Sequence, residues 1–208
     1  MINTILVEDD LYIQKHFVDR LAADGEFHLV GVFRDAFEAE KHCNATVKLV
    51  LMDVQTQHKH SGLAAAERIK KAFPQIKIVV ATSLVDPQVL ERAKMGAADS
   101  LWYKDSTQKR LMDVVRQTMA GKHIFPDAPP TVEIGMAKST EFTKTELKVL
   151  RHLMRGLSYT RIAAEMGCEM STVKFHVANM LQKTGLENKL QLALAVSDAK
   201  LIADLAEE

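Results

Sequence analysis

Charged and hydroxyl side chains in the N-terminal half stand where short apolar runs of the sequence stop. An acidic triplet, Glu8 to Asp10, follows the first run, and Asp53 follows the third. Thr82 ends the fourth run, and Lys104 follows the fifth. If the first and third runs are neighbouring strands, their carboxylates converge with a hydroxyl and an ammonium opposite. Clustered carboxylates raise each other's pKa unless a cation lies among them, and such oxygen ligands suit Mg²⁺, which helps bind phosphoryl groups. The pattern therefore predicts a magnesium site.

Each of these residues also has an ordinary structural explanation. A lone aspartate at a strand end is more often a helix cap or a turn former than part of a site. Acids at the start of a helix interact favourably with its dipole, so the triplet alone could simply open a helix. Lys104 with Asp105 could be a solvated turn. The shared site is favoured because all four groups fall at strand ends on one side of the predicted sheet.

The apolar runs alternate with longer helical patterns as far as residue 122. The runs are short and continuously apolar, as expected of parallel strands covered by helices on both faces. The predicted strands are Ile5–Val7, Leu29–Val32, Leu49–Met52, Ile76–Ala81 and Leu101–Tyr103. The predicted helices are Tyr12–Ala23, Ala36–Cys43, Leu63–Phe73, Pro87–Met95 and Gln108–Ala120. Five such repeats predict an α/β fold with a doubly wound, five-stranded parallel sheet of the flavodoxin-like kind.

The strand pattern is absent from the C-terminal part of the chain. Residues 124–140 hold three of the five prolines and show no periodicity, which predicts a linker. Beyond them four helices are predicted, over residues 143–155, 158–166, 171–184 and 189–206, and Thr143 with Glu146 forms a capping box at the first. The expected organisation is an α/β domain at 1–123, a linker at 124–140 and an all-α four-helix domain at 141–208.

Composition limits the classes of function. The 208-residue chain has a formal net charge of zero, which excludes an overall polycation but not a local basic face. Cys43 and Cys168 are far apart and share no CxxC spacing, as is typical of a reduced, cytoplasmic protein. The sequence shows no signal-peptide core and no apolar run of membrane-spanning length. We therefore expect a cytoplasmic protein that does not enter a membrane.

The N-terminal half resembles the receiver domain of bacterial two-component response regulators. The segments ILVEDD, LVLMD and VVATS and the Lys104-Asp105 pair follow that family's signature order. The resemblance implies that a sensor histidine kinase transfers a phosphoryl group to Asp53. It implies that Mg²⁺ is held by Glu8, Asp9, Asp53 and the backbone carbonyl of Gln55. It also implies that Thr82 acts as a switch and that Lys104 pairs with the phosphoryl oxygens.

Two departures from the family pattern affect this half. Thr56 and Gln57 replace the usual Met-Pro pair, and Gly62 comes one residue late, so the loop 55–61 beside the site has an unusual shape. The position of the family's switch aromatic is occupied by Leu101. The same loop contains the pair His58-x-His60, which has no further ligand set nearby and is more typical of a solvated loop than of a zinc site.

The C-terminal half contains a helix-turn-helix pattern. Residues 167–170 form a short glycine-containing turn between two predicted helices. The second helix has a core stripe at helical spacing, formed by Val173, Val177, Met180 and Leu181. Residues 138–189 contain nine basic and five acidic residues, which is the sign needed for contacts with DNA phosphates. The alternative is a helical docking module with a solvated basic face.

Residues 142–189 resemble, nearly end to end, the LuxR-type DNA-binding domain. The matching features are Thr143-x-x-Glu146, the stop at Gly156, Ile162-Ala163, Ser171-Thr172-Val173-Lys174-x-His176 and Lys183-x-Gly185. The whole chain therefore resembles NarL/FixJ-subfamily response regulators. The resemblance implies that the helix bearing Lys174 enters the major groove of double-stranded DNA and that the last helix helps form a homodimer. The predicted DNA-binding residues are Ser171, Thr172, Lys174, Phe175, Ala178, Asn179, Gln182 and Lys183.

We expect a DNA-binding transcription regulator and not an enzyme. One alternative keeps the DNA binding but makes the receiver a constitutive or ligand-gated dimerisation module; the altered loop and Leu101 favour it, and the intact acids, Thr82 and Lys104 oppose it. A second alternative is a flavodoxin-like enzyme domain that binds a phosphorylated cofactor at the same strand ends. An anionic pocket disfavours it, because the acids repel phosphate unless a metal intervenes.

Overall fold

The apolar runs of the N-terminal half form one parallel sheet in a computed structural model that describes residues 1–104 and 110–202. The strands are β1 (Ile2–Val7), β2 (Phe27–Phe33), β3 (Leu49–Met52), β4 (Lys77–Thr82) and β5 (Ser100–Tyr103). They lie side by side in the order β2-β1-β3-β4-β5. The first and third runs are therefore neighbours, and the predicted doubly wound fold is confirmed.

The pairing of β1 with β3 places two acid-bearing strand ends next to each other. Val7 pairs with Met52, so the residue that follows each strand is a carboxylic acid. The backbone N–H of Asp53 donates to the carbonyl of Val7 across the pair, at 3.0 Å. All four residues of β3 are buried, because helices cover both faces of a central parallel strand. Burial of the strand thus fixes where Asp53 emerges.

In the described part of the chain, five α-helices accompany the sheet, and two of them begin at an aspartate. They are α1 (Leu11–Asp24), α2 (Ala36–His42), α3 (Gly62–Ala72), α4 (Pro87–Arg92) and α5 (Leu111–Met119). The carboxylates of Asp10 and Asp35 accept backbone N–H groups in the first turns of α1 and α2. Asp10, the third acid of the triplet, is therefore a helix cap, which is the ordinary structural role of an acid at a strand end.

The end of the fourth helix differs from the boundary predicted from the sequence. The fourth helix is predicted to reach Met95 but ends at Arg92, and residues 93–97 form a wider π-type turn. Gly96 lies in that turn with a φ of 117°, which a residue with a side chain rarely adopts. The predicted start of the fifth helix at Gln108 lies outside the described residues.

The chain forms two compact units, each with an apolar core of its own. Apart from the short segment Leu84–Asp86, which is grouped with the second unit, the division falls between Pro129 and Pro130. The helices of the second unit are α6 (Lys144–Met154), α7 (Tyr159–Met166), α8 (Met170–Thr184) and α9 (Lys189–Asp198). Val173, Val177 and Met180 are buried along α8, as the stripe predicts. Among the described residues, no helix is long and apolar enough to cross a membrane.

The last helix is shorter than the sequence pattern predicts. It ends at Asp198 instead of Ala206. Lys200 adopts a positive φ of 53°, which is incompatible with continuing a right-handed helix. Residues 203–206 of the predicted helix lie outside the described part of the chain.

The second half of the predicted linker is folded. Residues 133–138 form a hairpin of two short antiparallel strands, β6 (Glu133–Ile134) and β7 (Ala137–Lys138). Ile134 and Ala137 are buried in the core of the second unit. With one buried side chain on each strand, the hairpin is too short to produce a periodic pattern, and for that reason it resembles a linker in the sequence.

The first residue of α3, Gly62, packs against the backbone of Asp53 and leaves no space for a side chain. Its replacement tests this close packing. A Cβ at this position would lie 1.8 Å from the carbonyl oxygen of Asp53. We expect Gly62→Ala to lower the free energy of unfolding by roughly 1–3 kcal/mol, the usual cost of overpacking. Urea unfolding followed by the fluorescence of Trp102, the single tryptophan, measures this change.

The control variant is Ala22→Ser, which adds one atom at an exposed position of α1 and should change stability by less than about 0.5 kcal/mol. Equal effects would contradict the close packing.

Candidate functional site

Three carboxylates and one ammonium meet at the carboxyl edge of the sheet. Glu8, Asp9 and Asp53 each place an oxygen within 4.8 Å of the others. The Nζ of Lys104 lies 2.6 Å from Glu8 Oε2 and 2.6 Å from Asp53 Oδ2. The side chains of Lys104 and Glu8 are only 8% and 1% exposed. Within the described residues, this is the one group of three or more acids, histidines or cysteines placed to hold a metal ion.

Burial controls the charge of this pocket. Burial, together with the negative charge of Asp53, raises the pKa of Glu8 from 4.5 to about 7 against the opposing effect of Lys104. Burial also raises the pKa of Asp53, although Lys104 and the N–H of Val54 act in the other direction. Burial alone would lower the pKa of Lys104, but the two carboxylates outweigh it and raise the pKa. One ammonium is therefore too little to neutralise the acids, and the pocket favours a further cation.

Backbone groups and one arginine hold the acids in place. The N–H of Val54 donates to Asp53 Oδ1 at 2.6 Å, which leaves Oδ2 to Lys104. The guanidinium of Arg34 donates to the backbone carbonyl of Asp9 from Nε at 3.3 Å and from Nη2 at 3.1 Å. Arg34 is not among the site residues predicted from the sequence. Its signal is a basic residue directly after β2, the strand that pairs with β1 on the side away from β3.

The residues predicted to act as a switch lie on β4 and β5. Thr82 is the buried last residue of β4 and pairs with Tyr103 of β5. Leu101 and Tyr103 are both buried and alternate with Trp102, which faces the other side of the strand and packs edge-on against Phe17. An aliphatic side chain thus occupies the position of the expected aromatic, and an aromatic ring follows two residues later on the same face.

The unusual loop 55–61 is closed by internal hydrogen bonds. Gln55 and Ser61 form an isolated antiparallel bridge at its two ends. The hydroxyl of Thr56 donates to the carbonyl of His60 at 2.7 Å and accepts the N–H of Ala36 at 3.1 Å. Thr56, which replaces the family's methionine, therefore fastens the loop to the turn before α2. The predicted carbonyl ligand, Gln55, lies at the base of this closed loop.

The second histidine of the loop has a carboxylate partner. The Nδ1 of His60 lies 2.7 Å from Oδ2 of Asp35, which also caps α2. Burial would raise the pKa of Asp35, but the N–H of Glu38 and the imidazole of His60 lower it. His58 is exposed and its ring lies 5.9 Å from that of His60. Neither histidine joins a third ligand within the described residues, so the solvated-loop interpretation of His58-x-His60 fits the structure better than a zinc site.

The face of α8 opposite the buried stripe is open to solvent. Its exposed side chains are Ser171, Thr172, Lys174, Phe175, Ala178 and Gln182, while Asn179 is half-buried. Phe175 is 62% exposed and lies edge-on to His176. The turn between α7 and α8 contains Gly167 in the left-handed conformation, as a tight helix-turn-helix requires. The structure therefore presents one polar helix face with a large aromatic residue at its centre.

Lys183 differs from the other predicted DNA contacts, because its ammonium already has partners inside the unit. Its Nζ lies 2.9 and 2.8 Å from the two carboxylate oxygens of Glu146 and donates to the carbonyl of Glu141 at 3.0 Å. Glu146 is 2% exposed and accepts the N–H of Thr143, which completes the predicted capping box. Burial would raise the pKa of Glu146, but Lys183 and Thr143 lower it. The structure does not bring Lys183 to the exposed face of α8.

An acidic pocket on a doubly wound sheet, followed by a helix-turn-helix unit, defines a two-domain regulator. The chain belongs to the two-component response regulators with a LuxR-type DNA-binding domain. Residues 4–116 match the family described as response regulator receiver domain, and residues 140–196 match the family described as bacterial regulatory proteins, luxR family.

Comparisons over nearly the full length find a curated relative and solved structures with the same fold. The response regulator protein VraR of Staphylococcus aureus (strain N315) is 28% identical over 207 residues, covering 97% of this chain and 99% of VraR. RcsB from Salmonella enterica serovar Typhimurium, solved bound to promoter rprA with the phosphomimetic BeF3-, shares the fold with a TM-score of 0.60 and 21% identity. That match covers 95% of this chain and 98% of RcsB. A structure of two RcsB dimers bound to two parallel DNAs also gives a TM-score of 0.60, at 19% identity over 94% of this chain and 98% of RcsB.

The raised pKa of Glu8 predicts how the stability of the metal-free protein depends on pH. The folded protein binds this proton more tightly than the unfolded chain does, so the contribution is fully present below pH 4.5 and is lost as the pH rises through about 7. Glu8→Gln removes the titration. The free energy of unfolding of the wild type minus that of the variant should therefore decrease across this window. Urea unfolding with a chelator at a series of pH values measures it, and a constant difference would argue against a buried, proton-binding Glu8.

Proposed function

We propose that this response regulator controls transcription and that a sensor histidine kinase phosphorylates it on Asp53. The observation that supports this most directly is the buried arrangement of Asp53, Glu8 and Lys104, in which one ammonium lies 2.6 Å from each of two carboxylates. A structural ion pair needs one acid for one base. A second buried acid with a pKa of about 7 is costly for folding, and such arrangements are typical of functional sites.

The acidic pocket fits a magnesium ion as cofactor. Glu8, Asp9 and Asp53 would hold it with their carboxylates, and Gln55 would add its backbone carbonyl. The fit rests on the chemistry of the donors, since oxygen ligands with excess negative charge suit Mg²⁺, and on the electrostatic need for a second cation beside Lys104. The ion would neutralise charge on the transferred phosphoryl group.

The protein's own groups have separable tasks in the transfer. A carboxylate oxygen of Asp53 attacks phosphorus, and the bond from phosphorus to the nitrogen of the donor histidine breaks. The N–H of Val54 holds Oδ1 of Asp53, so the carboxylate is oriented before the donor arrives. The Nζ of Lys104 already contacts Asp53 Oδ2, from which negative charge moves to the phosphoryl oxygens during the transfer. Lys104 would therefore pair with the phosphoryl oxygens once they are attached to Asp53. Thr82, at the end of the neighbouring strand β4, would act as the switch that responds to the new group.

The proposed output is recognition of double-stranded DNA by α8. The exposed face of Lys174, Phe175 and Ala178 would enter the major groove, where an α-helix fits and base edges are read. Leu190 and Leu194 of α9 are both exposed and lie one helical turn apart, which supports α9 as part of a homodimer interface. We place the receiver at residues 1–123, a linker at 124–140 and the DNA-binding domain at 141–208, with the end of the linker folded as the hairpin. The proposed setting is the cytoplasm, and the proposed role is regulatory, not enzymatic.

A second candidate is a receiver that is not controlled by phosphorylation and serves as a constitutive or ligand-gated dimerisation module. Two observations favour it. Leu101 lacks the ring expected of the switch position, and the loop 55–61 is fastened to α2 through Thr56 and His60. The complete set of Asp53, Lys104 and the two other acids favours phosphorylation.

Asp53→Asn separates these two candidates. The amide keeps the shape of the side chain but lacks the nucleophilic carboxylate oxygen, so labelling by a small phosphodonor with Mg²⁺ should vanish. Intact mass before and after incubation measures the added phosphoryl group. Asp10→Asn is the matched control, because Asp10 caps α1 and should leave the labelling in place. Labelling of Asp53→Asn at the wild-type level would refute the site, and an unlabelled wild type would favour the second candidate.

Lys174→Ala tests the DNA surface. Lys174 is exposed near the start of α8, on the face opposite Val173 and Val177. If it contacts a base, the variant should lose about 1–3 kcal/mol of discrimination at one position of the operator. If it contacts a phosphate, all duplexes should weaken alike and the salt slope should fall by about one. Affinities for a selected operator and a random duplex across salt concentrations distinguish the two. Lys148→Ala, an exposed lysine on α6, is the control for simple loss of charge. Unchanged operator affinity for Lys174→Ala would exclude α8 as the DNA reader.

A further inference from the structure

The turn of the β6–β7 hairpin contacts the C-terminal end of α8. The backbone N–H of Met136 donates to the carbonyl of Thr184, the last residue of the helix, at 2.9 Å. The last carbonyls of a helix have no partner within the helix, so the hairpin satisfies one of them. The side chain of Met136 covers Gly185, where a Cβ would lie 2.2 Å from the methionine methyl group. The hairpin and the helix end are therefore in direct contact.

The hairpin turn leaves no space for a side chain at Gly135. Its φ is 59°, and a Cβ would lie 2.2 Å from the carbonyl oxygen of Thr184. Ile134 and Ala137, on either side of the turn, are buried in the apolar core of the unit. The turn is thus anchored by one buried side chain on each strand, and Gly135 lies against the backbone of Thr184. A shift of the turn is therefore expected to move the end of α8.

A second set of contacts involves the same end of the helix. Lys183, the penultimate residue of α8, reaches the buried carboxylate of Glu146 at the start of α6 and the carbonyl of Glu141. The segment from the hairpin to the first turn of α6 therefore contacts the last two residues of α8 at a backbone carbonyl and at an ammonium. Both contacts are polar and directional, so they define an orientation as well as a distance.

We infer that the β6–β7 hairpin positions α8 for reading DNA, with Gly135 and Met136 as positioning residues that do not themselves contact the nucleic acid. This inference rests on the proposed DNA-binding function of α8. The helix has 15 residues and is about 22 Å long. Because a helix is rigid over that length, a tilt at Thr184 displaces Lys174, which lies ten residues and about 15 Å away. Base contacts depend on such placement more strongly than phosphate contacts do.

The test compares Gly135→Ala with Gly156→Ala in the full-length protein. Both glycines have positive φ, 59° and 75°, but a Cβ at Gly156 has nothing within 4 Å. The two variants therefore share the backbone strain and differ in the clash with Thr184. The measurement is the ratio of affinities for a duplex selected on the wild type and for a random duplex, well below the unfolding temperature. We expect the ratio to fall on the order of tenfold for Gly135→Ala, as for one lost base contact, and to be kept by Gly156→Ala.

The salt dependence distinguishes positioning from direct contact. The slope of log affinity against log salt should stay unchanged in Gly135→Ala, because no phosphate contact is removed. Gly135→Asn and Gly156→Asn repeat the comparison with a residue that tolerates positive φ, so that the clash alone remains. Met136→Ala removes the side chain that covers Gly185 but keeps the backbone N–H that donates to Thr184. It should lower the ratio of selected to random affinity less than Gly135→Ala does. It is the variant to measure if the Gly135 variants do not fold.

The outcomes separate the inference from the function on which it depends. A wild type with no preference for any selected duplex refutes DNA reading itself. A selective wild type whose ratio survives in Gly135→Ala, Gly135→Asn and Met136→Ala refutes the positioning role and leaves the hairpin as a stabilising element. A lowered ratio together with a reduced salt slope would make the hairpin a phosphate-contacting element, which also overturns the inference.

Discussion

The ammonium of Lys104, shared between Glu8 and Asp53, is the interaction on which the first unit depends. Removing three charged groups from water is expensive, and breaking such a buried set by deleting one partner typically costs about 3–5 kcal/mol. The strand order that makes β1 and β3 neighbours, and β4 and β5 neighbours, brings the groups together although Lys104 lies 51 positions from Asp53 in the sequence. Glu8, Asp53 and Lys104 follow directly after β1, β3 and β5, at the carboxyl edge of the sheet. A change of charge on Asp53 therefore alters the electrostatic energy of Lys104 strongly, because the two groups are close together in a region of low dielectric constant.

The second unit uses a similar pair for a different purpose. Glu146 and Lys183 also form a largely buried carboxylate–ammonium contact, but the acid has one base and a lowered pKa, so the pair is electrostatically satisfied. It connects the start of α6 with the end of α8 and leaves no excess charge. In this protein the buried acid with a raised pKa, Glu8, lies in the candidate site, and the buried acid with a lowered pKa, Glu146, lies in a structural connection.

Much of the fold could be predicted because it follows from local patterns. Continuous apolar runs such as Leu49–Met52 are typical of central parallel strands in a repeating α/β pattern, and the polar residue that follows each run then falls at a common edge. The positions of the strand ends predicted that the carboxylates would meet an ammonium, but the direct contacts of Lys104 with Glu8 and Asp53 are seen only in the structure. The separate role of Asp10 as a cap was not resolved, since a capping acid and a site acid have the same sequence signature. Arg34 with Asp9, and His60 with Asp35, were missed because each pair is 25 positions apart and neither lies in a periodic element. Lys183 was assigned to DNA through the resemblance to the LuxR-type domain, and only the tertiary structure shows that its ammonium contacts Glu146.

The folded hairpin before α6 has a consequence for the exchange of domains between proteins. Family boundaries and proline content both place the DNA-binding domain after residue 139, yet Ile134 and Ala137 already belong to its core. A recombination event that joined another sensory domain at residue 141 would therefore transfer the four helices without the strand pair that closes the end of α8. A crossover at Pro129 would keep the strand pair together with the four helices. The natural unit of inheritance for this output domain is thus longer than its sequence signature.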